Sequence, residues 1–307
     1  MASLKRYIKI RFQEIKKQKL AYLFILPTLL GVFLITIYPL FRSIWFSFHK
    51  YYIIELKKGV PFIGLDNYRY ILRDPLFWLS FKNTVIFTFG CVLVTMLIGL
   101  GVALLLNQNF RGRNIVAVTI LLPWVIPKVA ASILWKWIYD DQYGILNYFL
   151  CGLGFQGFSG YGWLINYTTS LLAVMIVVIW QSFPFVAIAL LAGLQTIPKT
   201  LYEAADVDGA SSWQKFRYIS LPMLKHLITI LLILSTIWDF KVFDQMFVLT
   251  RGGPANSTMI LGIYTWMMAF GSLRMGRAAA LAIIMFLILM MATIFYLMII
   301  RKEEGIS

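Results

Sequence analysis

The chain has 307 residues, of which 60% are hydrophobic and 13% charged, and its formal net charge is +15. A soluble domain of this length has no interior large enough for so much apolar surface, so a soluble enzyme or binding module is excluded and a polytopic membrane protein is expected. Apolar runs of the roughly 20 residues a bilayer requires recur without two-residue alternation, which selects helices over barrel strands.

In chain order, the first feature is basic. Lys5 to Lys19 interleaves Lys and Arg with Leu4, Tyr7, Ile8, Phe12 and Ile15. This pattern reads as an amphipathic helix lying on lipid. Binding of nucleic acid is the sharper reading of such charge, but membrane flanks routinely look like this, and no nucleic-acid partner is expected. Six spans follow, at about Leu20 to Phe48, Phe81 to Leu106, Asn114 to Tyr139, Thr169 to Leu194, Leu221 to Leu249 and Arg277 to Ile300. The expected organisation is an N-terminal segment 1–19, a transmembrane domain 20–300 and a tail 301–307. Lys and Arg are richer in the two terminal segments and in the loops after the second and fourth spans. By the positive-inside rule those parts, including both termini, are cytoplasmic in a bacterial inner membrane. The loop after the first span is the weak point of this topology, because it too carries Lys50, Lys57, Lys58, Arg69, Arg73 and Lys82.

Polar residues within spans are costly and read as functional. The third span carries Trp124 and Lys128 between and after Pro123 and Pro127. The fourth holds Gln181, Ser182 and Phe185 around Pro184, which removes a backbone donor, bends the helix and frees the Trp180 carbonyl. In the fifth, Ser235, Trp238, Asp239 and Val242 share one helical face, while Lys241 and Asp244 are placed to pair on another. Aromatic faces with directed hydrogen-bonding groups suit a sugar, whose CH faces stack and whose hydroxyls need partners.

Between the fourth and fifth spans lies a polar stretch, about 198–221. Thr200 and Glu203 have capping-box spacing, Gly209 is placed to end the short helix, Ser211 and Gln214 repeat the box, and Pro222 suits the first turn of the fifth span. The result is a helical hairpin too polar for lipid. It either inserts small and aromatic residues (Ala204, Ala205, Trp213, Phe216) into a partner's groove or packs as an interfacial loop on its own protein. The cysteines, Cys91 and Cys151, suggest no disulfide, and the histidines, His49 and His226, stand alone without metal-ligand spacing. No nucleophile–base set can be assembled. Gly152 to Gly157 and Gly271 to Arg277 imitate nucleotide loops only in letters, so no ATPase is expected in this chain.

The stretch from Glu203 to Pro222, with its Glu-Ala-Ala start, Asp208-Gly209-Ala210 and closing Ile219, Leu221 and Pro222, resembles the coupling loop of bacterial ABC-importer permeases. Gly64-Leu-Asp-Asn-Tyr68, Asp74-Pro75, Asn83-Thr84, Pro123-Trp-Val-Ile-Pro127, Tyr143-Gly144 and Leu249-Thr-Arg-Gly-Gly-Pro-Ala-Asn-Ser-Thr258 resemble the sugar-permease branch, related to maltose-type membrane subunits. The resemblance implies an all-α, six-helix type I importer fold. It also implies a second homologous permease subunit, two ATPase subunits that carry ATP and magnesium, an external solute-binding protein, and no cofactor or catalysis in this chain. It places Glu203, Ala204, Ala205, Asp208, Gly209 and Ala210 at the ATPase surface, with Asp208 better explained as structural. It puts the sugar path at Trp124, Lys128, Gln181, Ser182, Phe185, Ser235, Trp238, Asp239 and Val242. Lys128 departs from the small polar residue expected of the family. It implies either an ion pair with Asp239 or an acidic solute such as a sugar acid or glycerol phosphate. An ion-coupled secondary transporter using Asp239 or Asp244 is the remaining alternative, and it leaves the hairpin unexplained.

Overall fold

The computed structural model describes residues 19–303. The expected amphipathic segment up to Lys19, and the last residues of the tail, lie outside that range. Helix α1 (Lys19–Val32) passes through a π-turn at Phe33–Ile37 into α2 (Tyr38–Ser47). The Pro39 ring would press on the carbonyl four residues back, that of Ile35, and the widened turn sits at that carbonyl. The same device recurs at the start of the fifth span, where a π-turn at Phe216–Ser220 precedes Leu221 and Pro222.

A short amphipathic helix, α3 (Asp66–Arg73), leads into the long α4 (Pro75–Leu106). The second span thus starts several residues before the expected Phe81. Asp74 caps it by accepting from the Leu76 amide at 2.9 Å, and Pro75 fills the first turn.

The expected third span, Asn114 to Tyr139, is corrected by the structure. It is two helices, α5 (Arg113–Val125) and α6 (Lys128–Ile138), bent by 98°. Pro127 pushes the preceding residue out of the helical region, and Ile126 is extended at φ −67°, ψ 131°. Helix α7 (Ile145–Gly152) follows. By contrast α8 (Ser170–Gln195) runs unbroken past Pro184.

The hairpin comprises α9 (Lys199–Val207) and α10 (Ser212–Lys215). The regular helix of the fifth span, α11 (Leu221–Phe240), stops at Lys241, although the apolar stretch continues to the expected Leu249. A separate turn of helix, α12 (Asp244–Leu249), follows and packs against α6 and α8. Lys241 and Asp244 therefore do not share a helix. Both are exposed and they form no ion pair, which corrects the expected pairing. Helix α13 (Leu261–Trp266) precedes the last span, α14 (Met275–Glu303), whose helix runs three residues into the expected tail. Among the described residues five helices are long and apolar enough to cross a bilayer, and six if the bent α5–α6 pair counts as one span.

Packing centres on α4 against α8. Phe87, Cys91, Val174 and Val177 fill one half of the seam, and Leu106, Val186 and Leu190 the other, all essentially without exposure. Glycine brings the helices close. A methyl group built on Gly99 would lie 2.6 Å from Cγ1 of Val186. Small residues at such crossings are how helices associate where lipid offers no hydrophobic drive. Helix α1 buries nothing and presents Leu, Ile and Phe outward, as a lipid-facing helix does.

Several of the scattered sequence motifs become contacts. Asn83 of α4 donates to the carbonyls of Asn256, Ser257 and Met259 at 3.0–3.3 Å, and Thr84 accepts from the Leu261 amide at 2.9 Å. The Leu249–Thr258 loop is thereby fastened to the end of α4. Asn67 likewise donates to the Ser47 and His49 carbonyls at 2.9 and 3.0 Å, holding α3 against the end of α2.

Candidate functional site

The break at Ile126–Pro127 turns the end of α5 and the start of α6 toward α8 and α11. Between them lies a cavity of about 400 Å³. Its lining includes all nine of the expected path positions: Trp124, Lys128, Gln181, Ser182, Phe185, Ser235, Trp238, Asp239 and Val242. The one-face spacing on α11 brings Ser235, Trp238 and Asp239 there, and Val242 joins them from just beyond the end of that helix. A three-residue and four-residue spacing on α8 brings Val178, Gln181, Ser182 and Phe185.

One wall is aromatic. Trp124 stacks on Phe185 with ring centroids 5.6 Å apart and planes 22° apart, and Trp238 meets Phe185 edge-on at 5.4 Å. Trp124 and Trp238 keep 50% and 41% of their surface exposed, so ring faces remain for another molecule.

The floor is polar and buried. Gln181 donates to the Ile126 carbonyl at 2.7 Å, taking up an acceptor that the break releases from the helix. Gln245 donates in turn to Gln181 Oε1 at 3.0 Å. Two acceptors then remain without a partner, Oδ2 of Asp239 and Oε1 of Gln245, on residues 4% and 3% exposed. Buried acceptors of this kind cost about 1–3 kcal/mol when left unmade, so the cavity floor favours a hydroxyl donor.

The expected Lys128–Asp239 pair is not formed. Lys128 is exposed at the mouth of the cavity, and no ion pair joins the two. The bend makes Lys128 the first residue of α6 instead of a position inside a straight span, and its side chain is exposed in this chain. Gln245 is a polar lining residue that the expected path does not include. A glutamine inside an apolar run was the available signal.

The hairpin is the second candidate site. Its first helix starts at Pro198, which caps without any side-chain bond, so the expected Thr200–Glu203 box is not formed and both residues lie inside α9. Proline at this boundary already removes a donor that a cap would have had to satisfy. The second box is present: Gln214 N donates to Ser211 Oγ at 3.3 Å, and Ser211 N to Gln214 Oε1 at 2.7 Å. Between the helices Gly209 has φ +74°, and the Ala210 amide returns to the Ala205 carbonyl at 2.8 Å, closing a left-handed helix end. Asp206 and Lys215 pair across the hairpin, and Tyr202 bonds Ser220 at 2.9 Å. Glu203, Ala204, Asp208 and Gly209 are exposed, and Ala205 and Ala210 are half-buried. Val207, Trp213 and Tyr218 project with 89%, 67% and 74% exposure. These three side chains give the hairpin an exposed apolar and aromatic face.

These features define a class: a polytopic helical membrane protein with a polar cavity between spans and a rigid hairpin projecting from one side. Residues 95–304 match the family described as binding-protein-dependent transport system inner membrane component, and the chain belongs to that family. It is 37% identical over 296 residues to the sulfoquinovosyl glycerol transport system permease protein of Agrobacterium fabrum, covering 96% of this chain and 94% of that one. It is also 37% identical over 296 residues to the trehalose/maltose transport system permease protein of Thermococcus litoralis, covering 95% and 96%. A 34% identity over 285 residues links it to the diacetylchitobiose uptake system permease protein of Streptomyces coelicolor, covering 92% and 87%. The fold matches a bacterial ABC transporter involved in import of the acidic polysaccharide alginate, with a TM-score of 0.83 at 23% identity over 95% of this chain and 98% of that one.

Proposed function

We propose that this chain is one membrane subunit of an ATP-driven importer for a carbohydrate, and that the cavity between α5–α6, α8 and α11 is its half of the solute path. The supporting observation is the cavity itself. It pairs stacked aromatic rings with buried acceptors, Asp239 Oδ2 and Gln245 Oε1, that want hydroxyl donors. Relatives whose permeases serve sulfoquinovosyl glycerol, trehalose/maltose and diacetylchitobiose agree with a saccharide in that place. An aromatic face offers an apolar surface to the CH side of a sugar ring, while the floor sets orientation.

In this reading the α9–α10 hairpin is cytoplasmic and docks on an ATPase subunit, with Glu203, Ala204, Ala205, Gly209 and Ala210 at the contact and Asp208 ending α9. Both termini are cytoplasmic, a homologous permease subunit supplies the other half of the path, and an external binding protein delivers the solute. ATP and magnesium act on the ATPase subunits, and this chain contributes the path and the lever without catalysis of its own.

The experiment is uptake of labelled di- and oligosaccharides by the reconstituted complex. Uptake that requires ATP, survives collapse of ion gradients, and falls at least tenfold in Asp239→Leu agrees with the proposal. Uptake driven by an ion gradient without ATP, or insensitive to Asp239, overturns it.

A further inference from the structure

The basic loop after the first span folds into a feature that transport does not use. Helix α3, the chain between α2 and α3, and the first turn of α14 enclose two adjoining cavities of about 360 and 690 Å³. They share Asp66 and Arg277; Arg274 lines the first, and Arg69 and Arg73 the second.

The acids here are already engaged. Asp66 pairs with Arg69 at 3.1 Å. Asp74 accepts from the Tyr264 hydroxyl at 2.5 Å and from the Leu76 amide. Glu55 pairs with Lys50 at 3.0 Å and Lys58 at 3.3 Å, whose hydrogen bonds hold its carboxyl below the ordinary range. Arg73, Arg274 and Arg277 have no carboxylate at ion-pair distance. Arg277 goes further, because its Nη1 is buried and has no hydrogen-bond partner. Its guanidinium carbon lies over the Tyr70 ring at 3.4 Å from the centroid, and that of Arg274 lies 5.6 Å from the Tyr52 ring.

The backbone around this cluster is pinned. The Gly276 amide donates to the Tyr51 carbonyl at 3.0 Å, and a methyl group on Gly276 would lie 2.3 Å from the His49 carbonyl. The cluster is therefore preorganised, with its charge in excess. It sits where α4 and α14, two of the long apolar helices, begin at Pro75 and Met275.

We infer that Arg277, Arg73 and Arg274 form a binding site for the phosphate of an anionic lipid headgroup. Guanidinium forks match phosphate oxygens two at a time, and these three arginines bring forks without a carboxylate partner to the cavity walls. The lipid is favoured over free phosphate because the site lies where two helices of bilayer length begin, which is where lipid phosphate lies.

The test is native mass spectrometry of the intact transporter, delipidated and then exposed to phosphatidylglycerol or phosphatidylcholine. Phosphatidylglycerol is retained in preference to phosphatidylcholine, and Arg277→Gln or Arg73→Gln lowers its retention at least tenfold, while Arg277→Lys keeps part of it. Should Arg277→Gln fail to assemble, Arg73→Gln and Arg274→Gln, whose native side chains are exposed, carry the test. Equal retention of the two lipids, or full retention by the variants, overturns the inference. Millimolar inorganic phosphate binding as well as the lipid, with no preference for phosphatidylglycerol, reassigns the site to a free oxyanion and overturns the lipid. Unchanged lipid retention with lost stimulation by the binding protein reassigns it to an acidic protein surface and likewise overturns it.

Discussion

Gly209 separates what the hairpin needs to fold from what it needs to dock. Its φ of +74° lies in the left-handed region, where a residue with a Cβ pays about 1–2 kcal/mol. Nothing in the chain lies within 4 Å of a Cβ placed there, so no internal clash adds to that cost. The turn is also held by the Ser211–Gln214 box, the Asp206–Lys215 pair and the Ala210-to-Ala205 bond. A loss of about 1 kcal/mol leaves such a hairpin formed. Asparagine tolerates left-handed backbone, so Gly209→Asn removes most of the strain while adding a side chain that points outward. If the glycine serves only the turn, Gly209→Asn transports like the wild type and Gly209→Ala loses little. If it serves docking, Gly209→Asn and Gly209→Glu both lose ATP-coupled uptake by at least tenfold, with normal insertion and weaker co-purification of the ATPase subunit. Glutamate adds an unpaired charge at the contact and loses more. Wild-type uptake and ATPase retention in Gly209→Glu would refute the docking argument.

Gly99→Leu forces α4 and α8 apart at Val186 and costs about 1–3 kcal/mol or more by overpacking, visible as a lowered unfolding temperature in detergent, whereas Gly101→Leu, with nothing within 4 Å, does not. Asn83→Leu strands three loop carbonyls and costs about 1–3 kcal/mol, read as increased proteolysis of the 250–258 loop. Ser211→Ala removes the surviving capping box and costs the hairpin about 1 kcal/mol, measured as faster amide exchange in α10. Gln181→Leu leaves the Ile126 carbonyl and Gln245 without partners and lowers saccharide uptake more than Ser182→Ala, which disturbs no such chain.

Gln181, Ser182 and Phe185 on α8 and Ser235, Trp238 and Asp239 on α11 were legible because each set lies within one helix, where spacing alone assigns a face; Val242 lies past the end of α11. The hairpin's turn and second cap were legible for the same reason, since their bonds span only a few residues. The first cap was misread because Thr200–Glu203 spacing is satisfied equally well one turn inside a helix that Pro198 already starts. The place of Lys128 was not legible, because direct pairing with Asp239 assumes a straight third span and the 98° bend makes Lys128 the exposed first residue of α6.

The amino-acid sequence by itself determined the membrane class, the number of apolar runs and the projecting hairpin, because hydropathy and short-range hydrogen bonding are properties of neighbouring residues. The tertiary structure alone decided that Gln181 answers Ile126 across 55 residues, that Gln245 answers Gln181 across 64, and that Asn83 grips a loop 173–176 residues away. Such bonds depend on the angle at which spans cross and break. That angle is set by which proline bends its helix and which glycine lets two helices touch, and no local pattern records it.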